Sequence, residues 1–316
     1  MASVGSPETL ERVGAAPVGS PAVRCGRALL FRADCLDWLA GRAVESVHGV
    51  VTDPPYGLVE YSALQQEKLR NGRGGVWRLP PAFDGHRRSP VPRFTTLTDA
   101  DIGGLRCFFG RWAGLLLPVL VPGAHVLVAS NPLVSHHVAA AVCGEGFERR
   151  GEVVRLVMTM RGGDRPKNAH EEFPGVTVMP RSRWEPWLLF RKPVRGRVRD
   201  NLSEWGTGGL RRISEEQPFA DVIASAPTRP AERRLAPHPS LKPQAFLRQV
   251  VRAILPLGTG IVLDPFAGSG STLAAAEHVG YESIGIEFDA AYVELARGAI
   301  PLLRDYEAEP PTARSR

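Results

Sequence analysis

A chain of 316 residues, 43% hydrophobic and 23% charged, is long enough to bury a large core and too ordinary in composition to be disordered, fibrous or a small stapled module. Its net charge of +6 favours a polyanionic partner without requiring one: 35 of the 39 basic residues are Arg in a Gly-, Pro- and Ala-rich chain, a bias that codon usage alone can produce. The four cysteines (Cys25, Cys35, Cys107, Cys143) are scattered and form no C-x-x-C pair, which argues against a disulfide framework or a zinc site. Residues 1–24 read as a flexible tail without the basic start and apolar core of a secretory signal. Residues 112–130 carry little charge, but Pro118, Pro122 and Gly123 prevent them from forming one membrane-spanning helix. A cytoplasmic protein with reduced thiols and no membrane partner is the expectation.

Strands are expected at 28–33 and 47–52, separated by a short helix at 36–40. Residues 58–97 form a long irregular segment rich in Gly and Pro, of the kind that serves as a lid or binding loop. A helix at 99–117, a turn at Pro122-Gly123, a strand at 125–129 and a helix at 132–143 follow. Strands at 152–160 and 187–191 flank a polar connection, and 195–237 is charged and aperiodic. The rest alternates: a helix at 243–255 with Phe246, Leu247, Val250, Val251 and Ile254 on one stripe, a strand at 260–263, a helix at 271–279, a strand at 283–286 and a helix at 289–300. Residues 305–316 form a polar tail. Strands alternating with helices predict an α/β fold around a mainly parallel, doubly wound sheet, with ligands at the carboxyl ends of the strands.

Two constellations stand at such ends. Asp264-Pro265-Phe266-Ala267-Gly268-Ser269-Gly270-Ser271 lies between a strand and a helix, and its glycines let backbone approach a ligand closely. Glu287 ends the next strand, where a carboxylate can accept hydrogen bonds from ribose hydroxyls. There is no third fingerprint glycine and no Walker lysine, so the expected cofactor is a nucleoside without a pyrophosphate. The second constellation is Thr52-Asp53-Pro54-Pro55-Tyr56-Gly57. Its prolines present carbonyls without donors beside a carboxylate and an aromatic ring. That set suits a planar base with an exocyclic amine: Asp53 and a proline carbonyl accept its two N–H bonds and Tyr56 stacks on the ring. Acceptors aimed at both protons draw the nitrogen towards tetrahedral geometry, which frees its lone pair and stabilises developing positive charge.

The TDPPYG and LDPFAGSGST strings together resemble the amino-methylating DNA methyltransferases, the N6-adenine and N4-cytosine family. His238-Pro239-Ser240-Leu241-Lys242-Pro243 is similar to that family's HP-T-Q-K-P segment, and Trp184-Glu185-Pro186-Trp187 to its E-P strand. The catalytic motif precedes the cofactor motif, as in the family's β arrangement. The resemblance implies a circularly permuted Rossmann-like fold, a mostly parallel seven-stranded sheet with helices on both faces, and a catalytic domain over 25–304. It implies S-adenosyl-L-methionine as methyl donor, with no metal and no covalent enzyme intermediate. By resemblance Asp264, Phe266, Ala267, Gly268, Ser269 and Gly270 line the methionine part of the cofactor and Glu287 holds its ribose. Asp34 stands near the adenine or, equally well, caps the helix that follows it. His238, Ser240 and Lys242 border the methionine carboxylate. Asp53, Pro54, Pro55 and Tyr56 form the catalytic group. Ser240-Leu241 replaces the usual Thr-Gln, and Ser271 a usual Thr.

Double-stranded DNA is the implied partner, with the target nucleotide flipped into a pocket. Residues 58–97 carry seven basic and three acidic residues, and residues 191–237 ten and six, so the net charge of these two segments together exceeds the +6 of the whole chain. Both are therefore expected to face DNA, 58–97 as an active-site loop and 192–237 as a target-recognition insertion. Asp rather than Ser at position 53 favours adenine; cytosine-N4 methylation is the alternative. Further rivals are an RNA or protein amine methyltransferase and an inactive DNA-binding homologue. A homodimer and a cognate restriction endonuclease are partners that the family suggests and the sequence leaves open.

Overall fold

The computed structural model describes residues 22–55, 77–78, 91–92, 98–157, 165–166, 169–238 and 240–308. Most of the expected 58–97 loop, together with Tyr56 and Gly57, lies outside them. Apolar runs form the strands β2 (Ala28–Arg32), β3 (Val47–Thr52), β6 (Leu120–Ala129), β10 (Ile261–Asp264) and β11 (Glu282–Glu287). They run parallel to one another in the order β2-β11-β10-β3-β6. β8 (Trp184–Arg191) adds to β6 antiparallel and β7 (Glu148–Leu156) adds to β8 antiparallel. The expected seven strands are all present, but the sheet has nine. β1 (Val23–Cys25) and β9 (Val222–Ala224) close its two edges, three residues each and too short to show a period. β4 (Trp77–Arg78) and β5 (Val91–Pro92) pair separately.

Helices cover both faces. On one, α1 (Cys35–Ala40), α2 (Asp99–Val119) and α3 (Ser135–Gly144) bury Trp38, Phe109, Trp112 and Val138. On the other, α6 (Gln244–Ile254) lays its apolar stripe on Val51, Leu127 and Trp187, beside α7 (Ser271–His278) and α8 (Ala290–Asp305). No helix among the described residues is long and apolar enough to cross a membrane.

Three expectations need correction. The N-terminal tail is expected to run to residue 24, but Val23 and Arg24 pair with β2, Val23 is buried, and Arg297 donates to the Ala22 carbonyl. Pro122-Gly123 is a bulge inside β6 rather than a turn before it, since Leu120 faces Val47 and His125 faces Gly49. Gly123 has φ of +78°, and a Cβ there would stand 2.9 Å from Gly208 Cα.

The third concerns the predicted target-recognition insertion, which is neither aperiodic nor wholly at the ligand edge. It contains α4 (Val198–Trp205), β9 and α5 (Pro230–Leu235). Because β8 runs opposite to β6, the chain leaves β8 at the amino ends of the parallel strands. There Gly123 N donates to Lys192 O, Thr207 Oγ1 to Pro122 O (2.6 Å) and Arg211 N to Ala253 O. Three of its basic groups are engaged within the protein: Lys192 Nζ on Leu120 O, Arg195 on Glu45 and Trp205, Arg197 on Asp200. Only after β9, which runs parallel to β7, does the chain return to the carboxyl edge.

Candidate active site

β3 and β10 are neighbours, so their ends bring Asp53 and Asp264 together from opposite ends of the sequence. Thr52, the last residue of β3, donates from Oγ1 to Asp264 Oδ1 at 2.7 Å, and Phe266 N donates to the same oxygen at 3.1 Å. Burial pushes the Asp264 carboxyl up to about 6, against the pull of the hydrogen bonds from Thr52, Thr272 and Phe266 N; the charge of Asp53 adds to the push.

The loop after β10 turns through Gly268 (φ +51°) and Gly270 (φ +79°) into α7. A Cβ at Gly270 would lie 2.5 Å from Ile300 Cγ1, so α8 holds this turn at a spacing that only glycine permits. Gly268 N donates to Glu287 Oε2 at 2.8 Å, and Asp289 N to Glu287 Oε1 at 2.7 Å. Each oxygen of Glu287 keeps a further lone pair, the acceptor capacity that two vicinal hydroxyls need. A Cβ at Gly268 would come within 3.2 Å of His238 Nε2, so the loop and the His238 segment close on each other. His238 accepts from Ser240 N through Nδ1 at 3.2 Å and packs edge-on against Tyr292. Burial pushes its imidazole below the usual range; Asp53 opposes this and Lys242 adds to it.

Asp53, His238, Ser240, Lys242, Asp264, Phe266, Ala267, Gly268 and Ser269 line one cleft, with Trp187, Ser271 and Thr272. Pro54 is buried and Pro55 exposed beside it. Asp34 does not line this cleft: it caps α1, accepting from Leu36 N at 2.8 Å and Asp37 N at 3.2 Å. It stands at the same edge as Glu287, since Ala33 N donates to Glu287 O. Cys35 beside it is buried, which pushes its thiol up to about 12, with Asp34 adding to the push.

Lys242 lines this cleft together with His238 and Ser240, and it reaches Asp53 as well. Its Nζ pairs with Asp53 Oδ2 at 2.7 Å and with Glu185 Oε1 at 3.1 Å. Glu185 Oε2 meets Arg155 Nη1 at 2.9 Å and accepts from Trp187 Nε1 at 3.2 Å. Burial alone would push the Glu185 carboxyl up, but Lys242 and Arg155 outweigh it and hold it at about 2. Burial likewise works against the charged form of Lys242, and its two carboxylate partners raise it above the usual lysine value. Arg155 escapes the sequence reading. A charge inside the apolar run from Val153 to Val157 is its one local signal, because a buried guanidinium needs a partner.

A family model described as DNA methylase matches residues 47–298, from the start of β3 into α8. The chain belongs to the DNA methylase family. Its curated relatives include the type II methyltransferase M2.DpnII of Streptococcus pneumoniae, 31% identical over 90% of this chain and 94% of that one. Solved structures share the fold. A putative DNA modification methylase of Thermus thermophilus, solved with S-adenosyl-L-methionine, aligns over 87% of this chain and 94% of its own with a TM-score of 0.54 at 19% identity. The cytosine-N4-specific PvuII DNA methyltransferase aligns over 91% and 89% with a TM-score of 0.56 at 15% identity.

Proposed function

We propose that this methylase transfers a methyl group from S-adenosyl-L-methionine to the exocyclic N6 amino group of an adenine in duplex DNA. The observation that carries the reading is that Asp53 opens on the same cleft as Phe266, Gly268 and Ser269, beside the Gly268–Glu287 pair. Methyl acceptor and methyl donor can therefore meet there. The residues fit the cofactor: Glu287 has capacity for its ribose hydroxyls, the two positive-φ glycines admit close backbone approach, and Asp264 suits an ammonium group. When bound, the cofactor supplies an electrophilic methyl group on a sulfonium.

The chain's own part is orientation. Asp53 and the Pro54 carbonyl accept the amine's N–H bonds, and the buried end of β3 holds both at fixed positions. Tyr56 is proposed to stack on the base. Asp53 in place of Ser favours adenine over cytosine.

DNA is proposed to approach along the carboxyl edge, where the connection between β7 and β8 also emerges, since Leu156 and Trp184 end that ladder beside Glu185. This connection is exposed from His170 to Val178, including Phe173, Val176 and Val178, and carries Arg181 and Arg183 at its return. An apolar side chain there suits the gap left by a flipped base, and the arginines suit phosphates. The type II methyltransferases among the relatives support a companion restriction endonuclease.

Duplex DNA incubated with labelled S-adenosyl-L-methionine and then digested to nucleosides should yield N6-methyladenine. N4-methylcytosine in its place would reverse the base assignment, and unlabelled DNA would overturn the reading.

A further inference from the structure

We infer that Glu185 is a positioning residue for the methyl-transfer carboxylate, acting through Lys242 and fixed in turn by Arg155; the inference rests on the function proposed above. Asp53, Lys242, Glu185 and Arg155 form a row of alternating charge with successive contacts of 2.7, 3.1 and 2.9 Å. All four side chains are largely withdrawn from water. Burying four charges costs several kcal/mol per ion before pairing, and apolar residues of the same volume often stabilise such a site as well or better. A row of this kind that ends in a reacting group therefore points to a role in the reaction.

The row is anchored at its far end. Arg155 and Glu185 are direct cross-strand partners in the β7–β8 ladder, and Arg155 also donates to Ser225 Oγ (2.9 Å) and Ala226 O (3.0 Å). Glu185 Oε2 is thus committed to Arg155 and Trp187, leaving Oε1 facing Lys242. A lysine stem is flexible, and Glu185 stops this one from swinging. It also divides the ammonium between two carboxylates. Were Lys242 to pair with Asp53 alone, the ion pair would tighten and Asp53 would be a weaker acceptor for the amine. With Glu185 drawing on the same ammonium, Asp53 keeps its strength as an acceptor for the amine.

The test is a cycle of Glu185→Gln and Lys242→Met, singly and together, with methyl transfer, cofactor binding by calorimetry and unfolding midpoints measured on each. Glu185→Gln should lower kcat at least tenfold while the S-adenosyl-L-methionine Kd stays within twofold, and should produce no further loss in the Lys242→Met background. Equal losses in both backgrounds, or a loss confined to cofactor affinity, would overturn the inference. If the wild type binds cofactor but methylates no DNA, the functional reading fails while the coupling is still read in the midpoints. There Glu185→Gln must destabilise the Lys242→Met protein less than the wild type, and equal shifts would reject the row as a unit.

Discussion

Asp264 lies beneath the loop that follows β10, and burial raises its carboxyl to about 6. The sign of its effect differs for folding and for binding. Because the folded value lies above the unfolded one, its contribution to stability is present below about pH 4 and is lost as pH rises through about 6. A cationic ligand group beside it favours the carboxylate, so cofactor affinity should weaken as pH falls through 6, approaching tenfold per unit below it. Calorimetric titration from pH 5 to 8 measures this, and a flat profile would remove Asp264 from the ligand's ammonium. At Asp53 the expectation is a separation of chemistry from binding: Asp53→Asn should cost roughly 10² to 10³ in kcat and leave the cofactor Kd within a few-fold, as filter-binding and single-turnover assays would report. Both residues were legible in the sequence because each ends an apolar run and is followed by its own turn chemistry. The partnership of Arg155 with Glu185 was not, because it is made across a ladder whose register no local pattern reveals.

At the scale of elements, periodicity located every strand and helix with a sustained apolar face, from β3 to the stripe of α6. It failed at β1 and β9, three residues each, and at the polar α4 and α5. It also could not tell where the basic insertion would lie. Net charge along the chain says nothing of strand direction, and the antiparallel β8 carries residues 192–217 to the edge away from Asp53. Two arginine pairs distinguish the edges. Arg181→Ala with Arg183→Ala should raise KM for DNA and reduce the slope of log KM against log salt by about 2, one phosphate contact per arginine. Arg197→Ala with Arg199→Ala should leave both unchanged. Steady-state kinetics across a salt series reads the difference, and the reverse result would return DNA binding to the insertion.

The whole molecule is drawn together at the site. Thr52 and Asp264 are 212 positions apart yet share a hydrogen bond, and the cluster under α2 contains Leu29, Val50, Val126, Leu263 and Ile284, from both ends of the chain. Two of the three core clusters draw on both the catalytic and the cofactor halves, and the cleft exists only when both are folded. Thermal unfolding should therefore be a single transition, and a cofactor bound only by the native state should move all of it. At a hundredfold excess over Kd the stabilisation is about 2.7 kcal/mol, which for a domain of this size corresponds to roughly 4 °C in the midpoint. Scanning calorimetry with and without S-adenosyl-L-methionine measures it. Two transitions, with the cofactor shifting one and leaving the other, would show that the β3 and β10 halves fold apart and that their meeting at Asp53 and Asp264 is a docking event rather than a shared core.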